Sequence, residues 1–392
     1  MSKQTKQALV PKLRFPEFAS TESWAETPLI NLIEEFREKS TIQDAFEVIT
    51  SAKNGLIRQK DYYNNNKRMA DRNNIGFNII PPNYLTYRSR SDDRRFFFNE
   101  NNLGITGIIS SYYPVFRLIK ASNKFFVELL SFHSNIVGKH SVGTSQTVLS
   151  LNELKRIKLP LPKNDEQQKI ADCLSSLDEL ITAQTQKLDG LKTHKKGLMQ
   201  LLFPAEGENL PQLRFPEFRD AGEWEIKPLD SLLTIGNGRD YKHLSKGDIP
   251  VYGSGGYMLS VNDYLYDGES VCIGRKGTIN NPMFLLGKFW TVDTLFYTHS
   301  FKDCLPKFIY FIFQNINWLN HNEAGGVPSL SKTNINKIEV AVPAPIEQQK
   351  IADCLSSIDE LIVALAQKTD ALKVHKKGLM QQLFPSADEV AG

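Results

Sequence analysis

Apolar residues recur every three or four positions, at Ile170, Leu174, Leu177, Ile181, Leu188, Leu191, Leu198 and Leu202, with polar residues between them. That spacing predicts a long helix carrying a coiled-coil seam. The second copy repeats the pattern with Ile351, Leu355, Ile358, Ile362, Leu365, Leu372, Leu379 and Leu383, seven of them 181 positions on and Leu365 the equivalent of Gln184, and the segments Glu166 to Pro204 and Glu347 to Pro385 are identical at 31 of 39 positions. Asp165 with Gln168 three residues on reads as a capping box, and Pro204 and Pro385 bound the far ends. Each copy is therefore expected to be one helix of about 36 residues, roughly 54 Å long.

Neither stripe is stable in water alone, and the nearest matching stripe is the other copy. Antiparallel pairing sets Gln184 opposite Thr369 and Leu188 opposite Leu365, so polar meets polar and apolar meets apolar. A parallel pairing would bury Gln184 against Leu365, at a cost on the order of 1 to 3 kcal/mol. The sequence predicts an antiparallel pair within the chain.

A second repeat frames the first. Leu13 to Leu29 returns as Leu213 to Leu229, sharing LRFPEF, with Trp24 and Trp224 in register. The repeat offsets, 200 and 181, differ by 19 residues, so the divergence lies between fixed frames: a shared scaffold with one variable region per copy. Within the variable regions, short runs between Gly, Asn and Pro clusters predict strands at Tyr84 to Arg88, Tyr113 to Leu118, Ile249 to Tyr252, Ser270 to Ile273 and Phe289 to Val292. One amphipathic helix follows in each, Lys124 to Val137 and Lys307 to Asn320, then a closing strand, Ile157 to Leu161 or Ile338 to Val342. The expected fold is α+β, two mixed β domains with helices separated by a pair of long antiparallel helices, duplicated about a pseudo-twofold axis. The expected divisions are residues 1–165, 166–204, 205–346, 347–385 and a tail, 386–392.

Composition narrows this only slightly. At 392 residues and 41% hydrophobic content the chain reads as an ordinary soluble protein of two or three domains. No apolar run reaches membrane-spanning length, and MSKQTKQALV lacks the apolar centre of a signal peptide, so a cytoplasmic location is expected. The four cysteines, Cys173, Cys272, Cys304 and Cys354, have no zinc spacing and are expected to be buried thiols. A net charge of +3 requires any polyanion-binding surface to come from local clustering.

No catalytic motif emerges. There is no phosphate-binding GxxxxGK[ST], Gly236-Asn237-Gly238 lacks a third glycine, and the prolines of NIIPPNY are not directly preceded by the Asn or Asp of an amino-methyltransferase box. His194 and His375, with the lysines after them, read as a solvated helix end or a partner contact.

The stronger signal is basic and aromatic interleaving. Between Ser51 and Glu100 ten Lys or Arg face five Asp or Glu, with Tyr62, Tyr63, Tyr84 and Tyr87 among them. Candidate DNA contacts there are Lys53, Arg58, Lys60, Arg88, Arg90, Arg94 and Arg95. In the second copy they are Arg239, Tyr241, Lys242, His243, Tyr252, Ser254, Arg275 and Lys276, with Lys246 nearby and YGSGG as a close-approach loop. Arginine engages guanine bidentately, and both cations neutralise phosphates.

Together, the EQQKIA helices, their HKKGLMQ and LFP ends, the duplicated RFPEF, and IGRKGTI with FWTVDT resemble the DNA specificity subunit of type I restriction-modification enzymes. The resemblance covers Leu13 to Pro385 and includes NIIPPNYLTYRS and GIISSYYPVF. It implies two target recognition domains, each reading half of a bipartite site on double-stranded DNA, with the helix pair as spacer and as dock for two methyltransferase subunits. It further implies a non-catalytic subunit that binds no cofactor itself. S-adenosylmethionine, ATP and Mg2+ would be used by the methyltransferase and restriction subunits, for adenine N6-methylation and for cleavage. A bivalent protein-interaction scaffold with a coiled-coil spacer is the alternative reading.

Overall fold

The computed structural model describes residues 10–52, 55–62 and 73–386. Contacts divide the chain into two compact units, one formed by residues up to Ala183 together with those from Lys368 on, the other by Gln184–Gln367. The division crosses both long helices near their middles, so each unit owns half of each helix.

The first unit runs β1 (Ala25–Pro28), β2 (Ile33–Phe36), β3 (Glu47–Ala52), β4 (Gly55–Arg58), α1 (Gln59–Tyr62), β5 (Asn78–Ile80), β6 (Leu85–Tyr87), β7 (Arg90–Ser91) and β8 (Phe98–Glu100). It continues through β9 (Gly107–Ile109), β10 (Val115–Leu118), α2 (Asn123–Phe132), α3 (Ser134–Lys139), β11 (Thr147–Val148), α4 (Leu151–Arg156) and β12 (Lys158–Leu161) into α5 (Asn164–Leu202). One four-stranded sheet has the order β2-β10-β6-β8 and another β4-β3-β9-β5, in which β3 and β9 are parallel. β1 closes the unit by pairing with β12.

The second unit repeats this plan. Its elements are β13 (Glu225–Pro228), α6 (Leu229–Leu232), β14 (Thr234–Asn237), β15 (Lys246–Gly253), β16 (Gly256–Val261), β17 (Tyr266–Asp267) and β18 (Ser270–Gly274). They continue as β19 (Met283–Leu285), β20 (Lys288–Thr291), β21 (Leu295–His299), α7 (Pro306–Asn315), α8 (Lys332–Asn336), β22 (Glu339–Val342) and α9 (Pro345–Leu383). The sheets are β14-β21-β18-β19 and β16-β15-β20-β17, with β15 parallel to β20 and β13 paired to β22. β6 and β18 are buried along their whole length, and the polar residue in each is satisfied there: the Thr86 hydroxyl donates to the Pro114 carbonyl and the Ser270 hydroxyl to the Thr298 carbonyl, both at 2.8 Å.

The expected strands are present with shifted ends, and the two amphipathic helices are shorter than expected. Lys124 to Val137 is interrupted at His133, whose backbone (φ −90°, ψ 26°) separates α2 from α3, and α7 stops at Asn315 because Ile316 is extended. His133 is buried, and neither ring nitrogen has a hydrogen-bond partner. Burial lowers its pKa to about 4. The neutral ring therefore contributes stability that is complete above the unfolded value of about 6.5 and is lost as pH falls from there towards about 4, on the order of 3 kcal/mol in all. H133F is expected to flatten this acid limb in pH-dependent thermal melts; an unchanged slope between pH 6.5 and 4 would refute the assignment.

Each unit's main core includes the ends of both long helices. In the first, Ile170, Ala171 and Leu174 of α5 join Leu383 of α9 and the adjoining Phe384, whose ring centroid lies 6.3 Å from Trp24 and 5.7 Å from Phe125. In the second, Met199 and Leu202 of α5 and the adjoining Phe203 join Ile351, Ala352 and Leu355 of α9, with Phe203 6.3 Å from Trp224 and 5.5 Å from Phe308. All twelve central seam positions from Ile170 to Leu191 and from Ile351 to Leu372 are buried or half-buried.

Both long helices have 39 residues, starting earlier than the expected cap. Asp165 lies inside the first turn, and the Gln168 amide donates to Asp172 instead of closing a capping box. The reason is tertiary: the polar residues beside Gln168 dock the helix onto its domain. Arg14 of RFPEF grips Glu166 with two charge-assisted bonds of 2.8 and 2.6 Å, and the Trp24 indole donates to the same carboxylate at 3.2 Å. Gln167 accepts from the Ser122 N–H and donates to the Pro162 carbonyl. In the second unit Arg214 grips Glu347 at 2.7 Å twice, while Gln348 accepts from the Leu305 N–H and donates to the carbonyls of Asp303 and Pro343.

The helix ends expected to be solvated divide by residue. His194, Lys196, His375 and Lys377 are exposed, but Lys195 and Lys376 are half-buried. Cys272 and Cys304 are buried as expected, whereas Cys173 and Cys354 on the long helices are only half-buried; all four are free thiols.

Candidate nucleic-acid interface

In the second unit the segment from Trp290 to Leu295, at the end of β20 and the crossover to β21, gathers three loops. The first follows β14. A Cβ at Gly238 would lie 1.9 Å from the Val292 carbonyl, so only glycine lets the chain pass here. Beyond it the Arg239 N–H donates to Thr291 and the Trp290 indole donates back to the Arg239 carbonyl, both at 2.8 Å. Tyr241 packs on the small core of Val251, Trp290 and Val292, and the His243 ring stands 5.7 Å from Trp290. Lys242 between them is exposed.

The second loop is the tip of the β15–β16 hairpin. Tyr252 pairs with Thr291 and accepts from the Val292 N–H, leaving Ser254-Gly255 as a two-residue turn. The third is the turn after β18. The N–H groups of Arg275 and Lys276 donate to Thr294, the Gly277 N–H donates to Pro328, and the Leu330 N–H donates to the Arg275 carbonyl. A Cβ added at Gly277 (φ +89°) would meet the Ser254 hydroxyl at 3.6 Å, so this turn passes beside the hairpin tip. Thus Arg239, Tyr241, His243, Tyr252, Ser254, Arg275 and Lys276 stand on loops tied to one hub. Lys246 lies at the opposite end of β15.

The first unit builds the corresponding turn after β6. The Leu149 N–H donates to the Ser89 carbonyl as Leu330 does to Arg275, and Arg90 pairs with Val148 as Lys276 does with Ser329. Leu149 and Leu330 are themselves one repeat offset apart. Arg90 and Lys276 therefore occupy the same position in two otherwise divergent regions, and both are exposed cations. The Ser89 hydroxyl donates to the Tyr112 carbonyl at 2.6 Å, and the Arg90 guanidinium lies 4.5 Å over the exposed Tyr112 ring.

The remaining candidates separate. Arg58 and Lys60 are committed to Glu47, at 3.1 and 2.6 Å, away from the tip of the β3–β4 hairpin. Arg95 faces Asp93 at 4.0 Å, and Arg94 has a left-handed backbone (φ 59°) whose carbonyl packs against Gly138. Arg88 is exposed. Lys53 and Tyr63 lie outside the described residues. Charge counting missed Tyr112, a lone exposed ring, and the Trp290–Leu295 hub, which carries little charge.

The family described as Type I restriction modification DNA specificity domain matches residues 33–193 and 221–374. The chain belongs to this family. Each specificity-domain match spans one variable region and most of the long helix after it. Among relatives, the type I restriction enzyme MjaVIII specificity subunit of Methanocaldococcus jannaschii is 25% identical over 333 residues, covering 72% of this chain and 74% of that one. A putative type I specificity subunit of Mycoplasma pneumoniae is 26% identical over 252 residues, 59% of this chain and 86% of the relative. The crystal structure of the type I restriction-modification S subunit from M. genitalium shares the fold at a TM-score of 0.66 and 15% identity, covering 96% of this chain and all of that one. Among the described residues no helix is long and apolar enough to cross a membrane, and no cluster of His, Cys, Asp or Glu has the arrangement of a metal site.

Proposed function

We propose that each unit places the turn after β6 or β18 against one half of a bipartite DNA site, with Arg90 and Lys276 as the corresponding reading or phosphate-contacting cations. As a member of the specificity family the chain recognises DNA and assembles with other subunits; it is not itself the catalyst. The carrying observation is the equivalence of Arg90 and Lys276, two exposed cations on identically tied turns in regions that otherwise diverge. In the rest of the reading, two methyltransferase subunits dock on the long helices and carry out adenine N6-methylation with S-adenosylmethionine, while restriction subunits use ATP and Mg2+.

The long helices then act as an antiparallel spacer. Lys376 meets Asp178 in the first unit and Lys195 meets Asp359 in the second. In residue numbers, 178 with 376 and 195 with 359 both add to 554, which supports one shared antiparallel register along the pair.

R90A and K276A test the reading cation by cation. Each is expected to alter only its own half-site, costing about 1–3 kcal/mol at one base position if the cation reads a base. If it instead holds a phosphate, the base preferences of both half-sites stay as they are, all sequences weaken alike and the salt slope falls by about one. Binding profiles across randomised half-sites at two salt concentrations distinguish these, and wild-type profiles for both variants would remove the turns from the interface.

A further inference from the structure

A lysine near the end of each long helix joins three elements at once. In the first unit the Lys376 ammonium of α9 reaches Asp178 of α5 at 2.8 Å to both oxygens and Glu128 of α2 at 2.7 Å. In the second the Lys195 ammonium of α5 reaches Asp359 of α9 at 2.7 and 2.8 Å and Gln314 of α7 at 2.9 Å, and lies 5.1 Å over the Phe311 ring. Lys195 and Lys376 correspond through the repeat, as do Asp359 and Asp178; Glu128 and Gln314 lie on the counterpart helices α2 and α7. The lysine side chains are only 12% and 16% exposed. Burial works against the Lys376 ammonium, yet its bonds to Asp178 and Glu128 outweigh that and hold its pKa above the ordinary lysine value.

The chemistry suits a lock rather than general adhesion. An ammonium has three donors, and the carboxylates of Asp178 and Glu128 can occupy all of them. Sliding α9 along α5 by one residue moves the charge about 1.5 Å, enough to break bonds of this length. Rotating α2, and with it the β-domain, breaks the third arm. The seam's apolar contacts are non-directional, so the directional bonds of the ammonium add a sharper restraint on the stagger.

We infer that Lys376 and Lys195 are positioning residues that fix, in each unit, the stagger of the long helices and the orientation of the β-domain upon them, and so set how sharply the protein discriminates spacer length between half-sites. This rests on the proposed spacer role of the helices. The lysines touch no DNA in this scheme. Their loss should leave the half-site sequences intact while loosening the distance between them.

The test uses the complex with its methyltransferase subunits and a ladder of duplexes carrying its own two half-sites at the preferred spacer and at one or two base pairs more or less. K376M and K195M should each lower the preference for the preferred spacer over its neighbours by about tenfold, the loss expected from one or two charge-assisted bonds. Half-site base preferences should not change. E128Q, which gives the first knot the composition of the second, should keep wild-type spacer discrimination. It shows that a fold-competent change at the same place is harmless. If K376M and K195M melt at lower temperature yet discriminate spacers like wild type, the lysines are merely stabilising and the inference is overturned. A wild-type complex that binds both half-sites but ignores spacer length would instead overturn the spacer reading on which it rests.

Discussion

Replacing Arg214 with alanine is expected to destabilise the second unit by about 3–5 kcal/mol, because Glu347 is left as a buried carboxylate without its cation. The Arg214 and Glu347 side chains are 10% and 2% exposed, so water does little to compensate. Arg14→Ala should cost the first unit less. There Glu166 keeps the Trp24 indole as a donor, whereas the buried Trp224 indole of the second unit makes no hydrogen bond. The duplicated scaffold thus contains its own control. Hydrogen exchange resolved by unit measures both losses, since a two-unit chain does not guarantee a single global transition. A loss below about 1 kcal/mol in R214A, or a larger loss in R14A, would contradict the assignment. Changing both partners of the second pair to methionine should recover much of the stability, since well-packed apolar pairs often replace buried ion pairs at little cost.

Inserting one heptad at the centre of each long helix, after Thr185 and after Ala366, is expected to change the spacer length of the recognised site and nothing else about it. Seven residues preserve the seam and add about 10.5 Å of helix. At roughly 3.4 Å per base pair this allows at most about three additional base pairs. The gain is expected to be smaller where groove phase matters, because three base pairs turn the duplex through about a quarter turn or more while a heptad barely rotates the helix. Methylation mapping in cells that carry the insertion and a methylation-competent partner reads the outcome directly. Active enzyme with the original spacer would show that some other feature sets the distance.

The long helices were legible because their signal is periodic and occurs twice: a seam every three or four residues reveals itself without knowledge of any distant contact. The paired β domains were legible in kind, and strands such as β18 and β10 fell close to their apolar runs. Their shared topology was not, since the order β2-β10-β6-β8 depends on pairings between distant residues that local pattern does not encode. His133 shows the limit of periodicity, for the apolar stripe continues through it while the backbone does not.

Among the candidate contacts, Arg275, Lys276, Arg239 and Tyr252 stand on loops of one hub, but counting cations could not distinguish them from Arg58 and Lys60, whose charges belong to Glu47. The pairing of Arg14 with Glu166, 152 positions apart, follows from no local pattern. A signal did exist. Both residues recur in the second copy as Arg214 and Glu347, off the seam and inside LRFPEF and EQQKIA, two segments that the duplication keeps unchanged.

Phe384 lies in the core of the first unit, among residues made some 250 positions earlier, such as Phe125 and Phe132. A ribosome that has emitted the whole of Gln184–Gln367 still holds the residues that the first unit lacks. The unit that begins first is therefore finished last. Until translation reaches the final turns of α9, Phe384 cannot cover Trp24 and Phe125, and its arrival closes a loop of some 250 residues at an entropic cost that grows only slowly with length. In the nascent chain the second unit is the only one whose parts are contiguous, and it is complete as an island while its elder neighbour waits.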